Sequence, residues 1–178
     1  MHASKPFIIC QIAGYKNAGK TTVIEKLIRY FTVLNKKTAT LKHHGHGGEP
    51  KQVQGTDSIK HLEAGSSISG VQGEKQFQLS IADVSDFSLE KLISLYTFIP
   101  VDILLIEGFK QAGYPKIIVL KNEEDKKLLA LSNIIAVIYW DEDILLSDDK
   151  KIFRMKDLDK ELPNIAALIL GLEEMRGI

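Results

Sequence analysis

A chain of 178 residues can bury a core without disulfides or structural metal, and one domain spanning residues 1–178 is expected. Its composition, 44% hydrophobic, 26% charged and 7% aromatic, excludes disordered and fibrous classes. Lys plus Arg and Asp plus Glu both number 23, which excludes an overall basic field for gathering nucleic acid or anionic membrane.

That balance hides an asymmetry. Residues 1–50 hold eight Lys or Arg against two Glu, a pattern that suits an anionic ligand near the N-terminal third or a solvated basic face. Cys10 is the single cysteine, so no intrachain disulfide forms, and in its apolar run it reads as a small core residue. No stretch approaches the ~18 apolar residues of a membrane span, and "MHASKPF" lacks a signal-peptide core; a cytoplasmic location is expected.

In chain order, "FIICQIA" (Phe7–Ala13) reads as a strand buried on both faces. Val23, Ile24, Leu27, Ile28, Phe31 and Leu34 then recur at helical spacing, and "TATLK" (Thr38–Lys42) is a second strand that runs into "HHGHGG". Asp57 is expected to cap a short helix that stops at Gly65. "SISGV" (Ser67–Val71) and "QFQLSI" (Gln76–Ile81) read as strands joined by a turn at Gly73-Glu74. Leu89, Leu92, Ile93 and Tyr96 mark the next helix, with Ser88 as its cap. Three more strands follow: "VDILLIEGF" (Val101–Phe109), "KIIVLK" (Lys116–Lys121) and "IIAVIY" (Ile134–Tyr139). A last helix is expected from about Pro163 to Met175. Unbroken apolar strands alternating with amphipathic helices predict an α/β fold with a mainly parallel sheet, helices on both faces and a β-hairpin. In such sheets ligands bind beyond the carboxyl ends of the strands.

"GYKNAGKTT" (Gly14–Thr22) lies between the first strand and the first helix and matches G-x-x-x-x-G-K-[ST]. Glycines let the backbone curl until successive N–H groups face phosphate oxygens, and the following helix presents its positive end to the same point. Gly14, Asn17, Ala18, Gly19, Lys20, Thr21 and Thr22 are therefore expected to bind the phosphates of a nucleotide. Lys20 reaches the β and γ phosphates in this reading, and Thr21 ligates Mg²⁺. The bland alternative is a glycine-containing turn that binds nothing.

Such a site also draws on a strand-end carboxylate. Asp102 and Glu107 are five residues apart, ~16 Å along a strand at ~3.3 Å per residue, so one site cannot use both. Glu107 lies at the carboxyl end and is the expected Mg²⁺ ligand. Asp57, after the second strand, is a candidate third acid for the metal or for the attacking water, or simply a helix cap. Lys42 and His43 stand on the same rim as the loop and are candidate ligand contacts. His43, His44 and His46, three imidazoles within four residues, can bind a divalent metal or belong to an ordinary surface loop.

With "GYKNAGKTT", "LKHHGHGG", "TDSIKHLEAGS" and "VDILLIEGFK" in that order, the chain from the first strand through about Lys121 resembles the molybdopterin-guanine dinucleotide biosynthesis protein B (MobB) family. The resemblance implies a dimeric, P-loop NTPase-like GTP-binding protein with weak GTPase activity. Such a protein assists a molybdopterin guanylyltransferase that attaches GMP to molybdopterin. Carried over to this sequence, it implies phosphate-loop roles for Gly14, Gly19, Lys20, Thr21 and Thr22, and a catalytic, Mg²⁺-side role for Glu107. Lys42, His43 and Asp57 fall on the family's strand-end and loop motifs.

The N-K-x-D arrangement of many GTPases is absent, since "LKNEED" reverses the Asn and Lys. Asp141, just beyond "IIAVIY", is the candidate acceptor for the guanine N1 and N2 protons. No arginine finger or water-positioning Gln stands out, which predicts slow turnover. The hairpin offers an edge that a second copy can extend into a homodimer. Two other classes remain open on the residues: a nucleotide-controlled metallochaperone using His43, His44 and His46, and a small-metabolite phosphotransferase with Asp57 as base.

Overall fold

Ile8–Ala13, buried at all six positions, forms β1, as a strand paired on both edges and covered on both faces must be. In the computed structural model, which describes residues 7–43, 50, 54–140 and 151–173, β1 is an interior strand of a parallel sheet. The other strands are β2 (Thr38–Lys42), β5 (Ile103–Glu107), β6 (Lys116–Leu120), β7 (Ile134–Tyr139) and β8 (Lys151–Arg154). Among the described residues these six run in the order β2-β5-β1-β6-β7-β8, every pair parallel. All six carboxyl ends therefore share one rim.

The chain divides into two compact units, Met1–Gly45 with Tyr96–Ile178, and His46–Leu95. In the first, α1 (Lys20–Val33) buries Val23, Ile24, Leu27 and Phe31, spaced to fall on one helical face. That face packs with Ile8, Cys10, Ile12, Ile103, Leu105, Ile117 and Val119, alternate residues of β1, β5 and β6. The fourth helix, α4 (Leu158–Leu170), closes this core with Leu158, Ile165, Ala166 and Ile169. Leu27 and Phe31 are wholly buried, so truncating either to alanine is expected to cost about 2–5 kcal/mol. A smaller cluster of Ala13, Ile118, Leu120, Leu128 and Val137 packs beside a 3-10 stretch at Glu123–Ala130.

Two polar residues interrupt the apolar strands. Gln11 of β1 and Lys116 of β6 are register partners, and both are 0% exposed. Gln11 Nε2 donates to the carbonyls of Gly108 and Phe109 at 3.1 and 2.9 Å. Lys116 Nζ donates to those of Ala112 and Ser132 at 2.9 and 2.7 Å. Burial pushes the Lys116 ammonium below the usual lysine range.

The second unit holds α2 (Asp57–Glu63), an antiparallel hairpin of β3 (Ile68–Gln72) and β4 (Phe77–Ile81), and α3 (Leu89–Ser94). Ser88 caps α3, its hydroxyl accepting from Lys91 N at 3.2 Å, as its position before the apolar spacing predicts. Gly65 sits at φ 105°, the left-handed conformation that ends a helix, and the Gly73 N–H closes the hairpin turn onto the Gln76 carbonyl.

Three expectations need correction. The residue before α2 is Thr56, with Asp57 as the first helical residue; in "TD" either side chain suits a cap, and the backbone turns one position earlier than expected. Strand β5 ends at Glu107 because Gly108 and Phe109 both take positive φ, 96° and 48°, which breaks the pleat. The last helix starts at Leu158, before Pro163, since burying Leu158, Ile165 and Ile169 outweighs the one hydrogen bond a proline removes. Met175 lies outside the described residues. Strand β8, a short edge strand reading "KIFR", has no apolar run to announce it.

Candidate phosphate-binding site

The loop after β1 follows a path only its glycines permit. A Cβ on Gly14 would stand 2.7 Å from the Val119 carbonyl oxygen of β6, so the loop starts with its backbone directly against the neighbouring strand. Gly19 precedes α1 at φ 93°, and Asn17 takes φ 59°, a conformation that asparagine tolerates better than most residues. Ala18 between them is fully buried. The curl is tightened by Ala18 N donating to the Tyr15 carbonyl at 3.3 Å, and Lys20 Nζ donates to the same carbonyl at 2.7 Å.

Glu107, at the end of β5, is brought to this loop. The Thr21 hydroxyl lies 3.3 Å from each of its carboxylate oxygens, and Lys42 Nζ at the end of β2 lies 3.2 Å from Oε1. The strand register Lys42↔Glu107 is what sets lysine and acid side by side. His43 N continues the ladder, donating to the Glu107 carbonyl at 2.9 Å, and its ring lies 4.6 Å from that of Phe109. Gly108 makes room for this, since a Cβ there would come within 3.1 Å of the His43 Cβ.

Cations surround the loop. Lys110 Nζ sits 4.3 Å above the Tyr15 ring and Lys127 Nζ 5.3 Å from the same ring. Burial lowers the Lys20 ammonium below its usual range; Glu107 opposes the shift, while Lys42 and Lys110 add to it. The site is thus one carboxylate among several ammonium groups.

Asp102 is at the amino end of β5, where its carboxylate accepts from Lys37 N at 2.6 Å, a structural role at the far rim. Asp57 belongs to the second unit, with its side chain 85% exposed and paired to Lys60 at 3.0 Å. Lys16, Asn17 and Thr22 are exposed. His44, His46 and Asp141 lie outside the described residues. Among the described residues no group of three or more His, Cys, Asp or Glu is placed to hold a metal.

Sequence reasoning passed over three residues that build this region: Gln11, Lys110 and Trp140. For Gln11 a signal existed, because a polar side chain inside a strand buried on both faces must find a partner. Trp140, after β7, donates its indole N–H to the Ala18 carbonyl at 2.8 Å. Nothing local in the sequence predicts a bond between residues so far apart along the chain.

A glycine-curled loop between β1 and α1, a lysine and a hydroxyl at the helix start, and an acid on the adjacent parallel strand define a P-loop NTPase-like α/β protein. Residues 9–140 match the profile of the family described as molybdopterin guanine dinucleotide synthesis protein B, MobB. The chain belongs to the MobB family. It is 43% identical over 136 residues to a probable molybdopterin-guanine dinucleotide biosynthesis adapter protein of Bacillus subtilis, covering 76% of this chain and 78% of the relative. The adapter protein of Haemophilus influenzae is 30% identical over 127 residues, 71% of each chain. The crystal structure of Bacillus subtilis MobB superimposes with a TM-score of 0.80 at 36% identity, covering 92% of this chain and 98% of that one.

Proposed function

We propose that this protein is a GTP-binding adapter of molybdopterin-guanine dinucleotide biosynthesis. In this reading it has weak GTPase activity and assists a guanylyltransferase that attaches GMP to molybdopterin. The observation that carries the nucleotide half is the convergence of Thr21 and Glu107, 3.3 Å apart, beside the glycine-curled loop and Lys20. Family membership carries the adapter half.

The residues fit the groups they would hold. Backbone N–H groups from Gly14 to Thr22 and the start of α1 suit phosphate oxygens, and Lys20 exchanges its bond to the Tyr15 carbonyl for phosphate. Thr21 Oγ1 and Glu107 are hard oxygen donors of the kind Mg²⁺ prefers, with phosphate oxygens and water to complete its shell. Bound Mg²⁺ would supply charge neutralisation on the phosphates. Gln11 is buried and committed to two carbonyls, so it is not a water-positioning glutamine, in keeping with slow turnover.

The hairpin supports a homodimer, since Ile68, Phe77 and Leu79 are 56%, 65% and 52% exposed on strands with open edges. A light-scattering mass of one chain at micromolar concentration would count against it.

The decisive experiment is a calorimetric titration with GTP and with ATP, each with and without Mg²⁺, on the wild type and on Lys20→Ala. GTP is expected to bind more tightly than ATP, Mg²⁺ to strengthen binding, and Lys20→Ala to abolish it with the fold retained. Equal affinities for GTP and ATP would remove the guanine assignment. Undiminished binding by Lys20→Ala would remove the loop assignment.

A further inference from the structure

Trp140 is the sole tryptophan of the chain and 51% exposed, although it is anchored rather than free. Its N–H is bonded to the Ala18 carbonyl at 2.8 Å, and its backbone N–H donates to the Leu120 carbonyl at 3.1 Å. The indole edge lies against Gly19: a Cβ there would meet Cζ2 at 3.2 Å and Nε1 at 3.3 Å. A large aromatic surface is thus fixed against the phosphate loop while half of it faces solvent. A residue needed only to brace the loop would gain more by burying that surface.

Its place on the rim gives the surface a use. In the sheet order β5-β1-β6-β7, the acid and hydroxyl lie on the β5 side of the loop, whereas Trp140 lies at the end of β7, on the opposite side. Strands are ~4.8 Å apart, so β5 and β7 stand ~14 Å from one another across the loop. A nucleotide whose terminal phosphates point toward Glu107 extends its nucleoside the other way. Every nucleobase has a π-face, and a fixed, half-exposed aromatic ring is a platform for one.

We propose that the indole of Trp140 is the stacking wall for the aromatic base of the nucleotide, held in place by its bond to the Ala18 carbonyl. This inference rests on nucleotide binding at the loop. It adds a base-contacting residue that is independent of which base is preferred.

The test compares GTP with inorganic tripolyphosphate, which carries the phosphates without a base, both in Mg²⁺. Wild type, Trp140→Leu and Trp140→Phe are titrated by calorimetry, and the wild type is also followed by tryptophan fluorescence. Trp140→Leu should bind GTP about tenfold more weakly yet bind tripolyphosphate within about twofold of wild type. Trp140→Phe, which keeps a ring but loses the N–H, should recover most of the GTP affinity. In the wild type, GTP should quench the emission and tripolyphosphate leave it nearly unchanged. Equal weakening of both ligands in Trp140→Leu would mean that the indole only braces the loop, and would overturn the proposal. So would unchanged GTP binding, or a GTP-specific loss that phenylalanine fails to restore. A wild type that binds neither ligand would instead sink the parent reading together with this one.

Discussion

Replacing Gln11 with leucine isolates the buried amide that ties β1 to the turn after Glu107. The side chain is wholly buried, and its two N–H bonds reach carbonyls of consecutive residues in positive-φ conformations. Leucine is of similar size, so no large cavity opens. Two acceptors lose their donors, at about 1 kcal/mol each because Gly108 and Phe109 are only partly buried and water can replace part of the loss. Against this, Gln11 Oε1 is itself buried without a partner among the described residues, and its removal returns about 1 kcal/mol. The net expectation is a destabilisation of about 1 kcal/mol, or ~2–4 °C in Tm for a chain of this length. Urea denaturation followed by circular dichroism measures it as a lower midpoint at unchanged slope. Gln11→Leu should also weaken Mg²⁺-dependent GTP binding more than Mg²⁺-free binding, because the turn fixes the backbone beside Glu107. A variant as stable as the wild type, or more so, would refute the view that these two bonds hold the turn.

Further outcomes follow from other buried groups. Burial lowers the folded pKa of Lys116 beneath its ordinary 10.5, so between the two values the unfolded chain binds more protons and stability rises with pH. The urea midpoint of the wild type should therefore gain on that of Lys116→Met as pH climbs toward 10.5, and a flat or falling difference would contradict this. Cys10 is fully buried and its thiol is pushed up to about 12, so a thiol reagent at pH 8 should label it only after denaturant is added. Gly14→Ala forces a methyl to 2.7 Å from the Val119 carbonyl; about 1–3 kcal/mol of stability should go, and nucleotide binding should fall further than in an alanine change at exposed Lys16.

Where sequence and structure agree, the controlling physics is local. The run Ile8–Ala13 needs no distant information to read as a doubly covered strand, and Thr38–Lys42 and Ile134–Tyr139 are strands within the bounds their composition sets. The spacing of Val23, Ile24, Leu27 and Phe31 gives α1 its buried face for the same reason. Thr21, Lys42 and Glu107 were legible as one group because a parallel sheet sends every strand's carboxyl end to the same rim. The misreadings come from competition between local rules and tertiary packing. Pro163 is a strong local stop, but the core contacts of Leu158 and Ile165 carry the helix through it. Trp140 and Lys110 were missed because their partners, Ala18 and Tyr15, are remote in sequence and near only once the sheet has assembled.

The sheet order also dictates a timetable for synthesis. β1 leaves the ribosome well before its two neighbours, β5 and β6, so Ile8 waits for Ile103 and Ala13 for Ile118. Until those residues are translated, the nascent chain carries a strand that is apolar but for Gln11, with both edges unsatisfied, and a glycine loop with nothing to lean on. The phosphate cradle is coded near the start of the chain but completed only when its second half arrives, and early termination before β6 leaves an aggregation-prone fragment rather than a smaller working site.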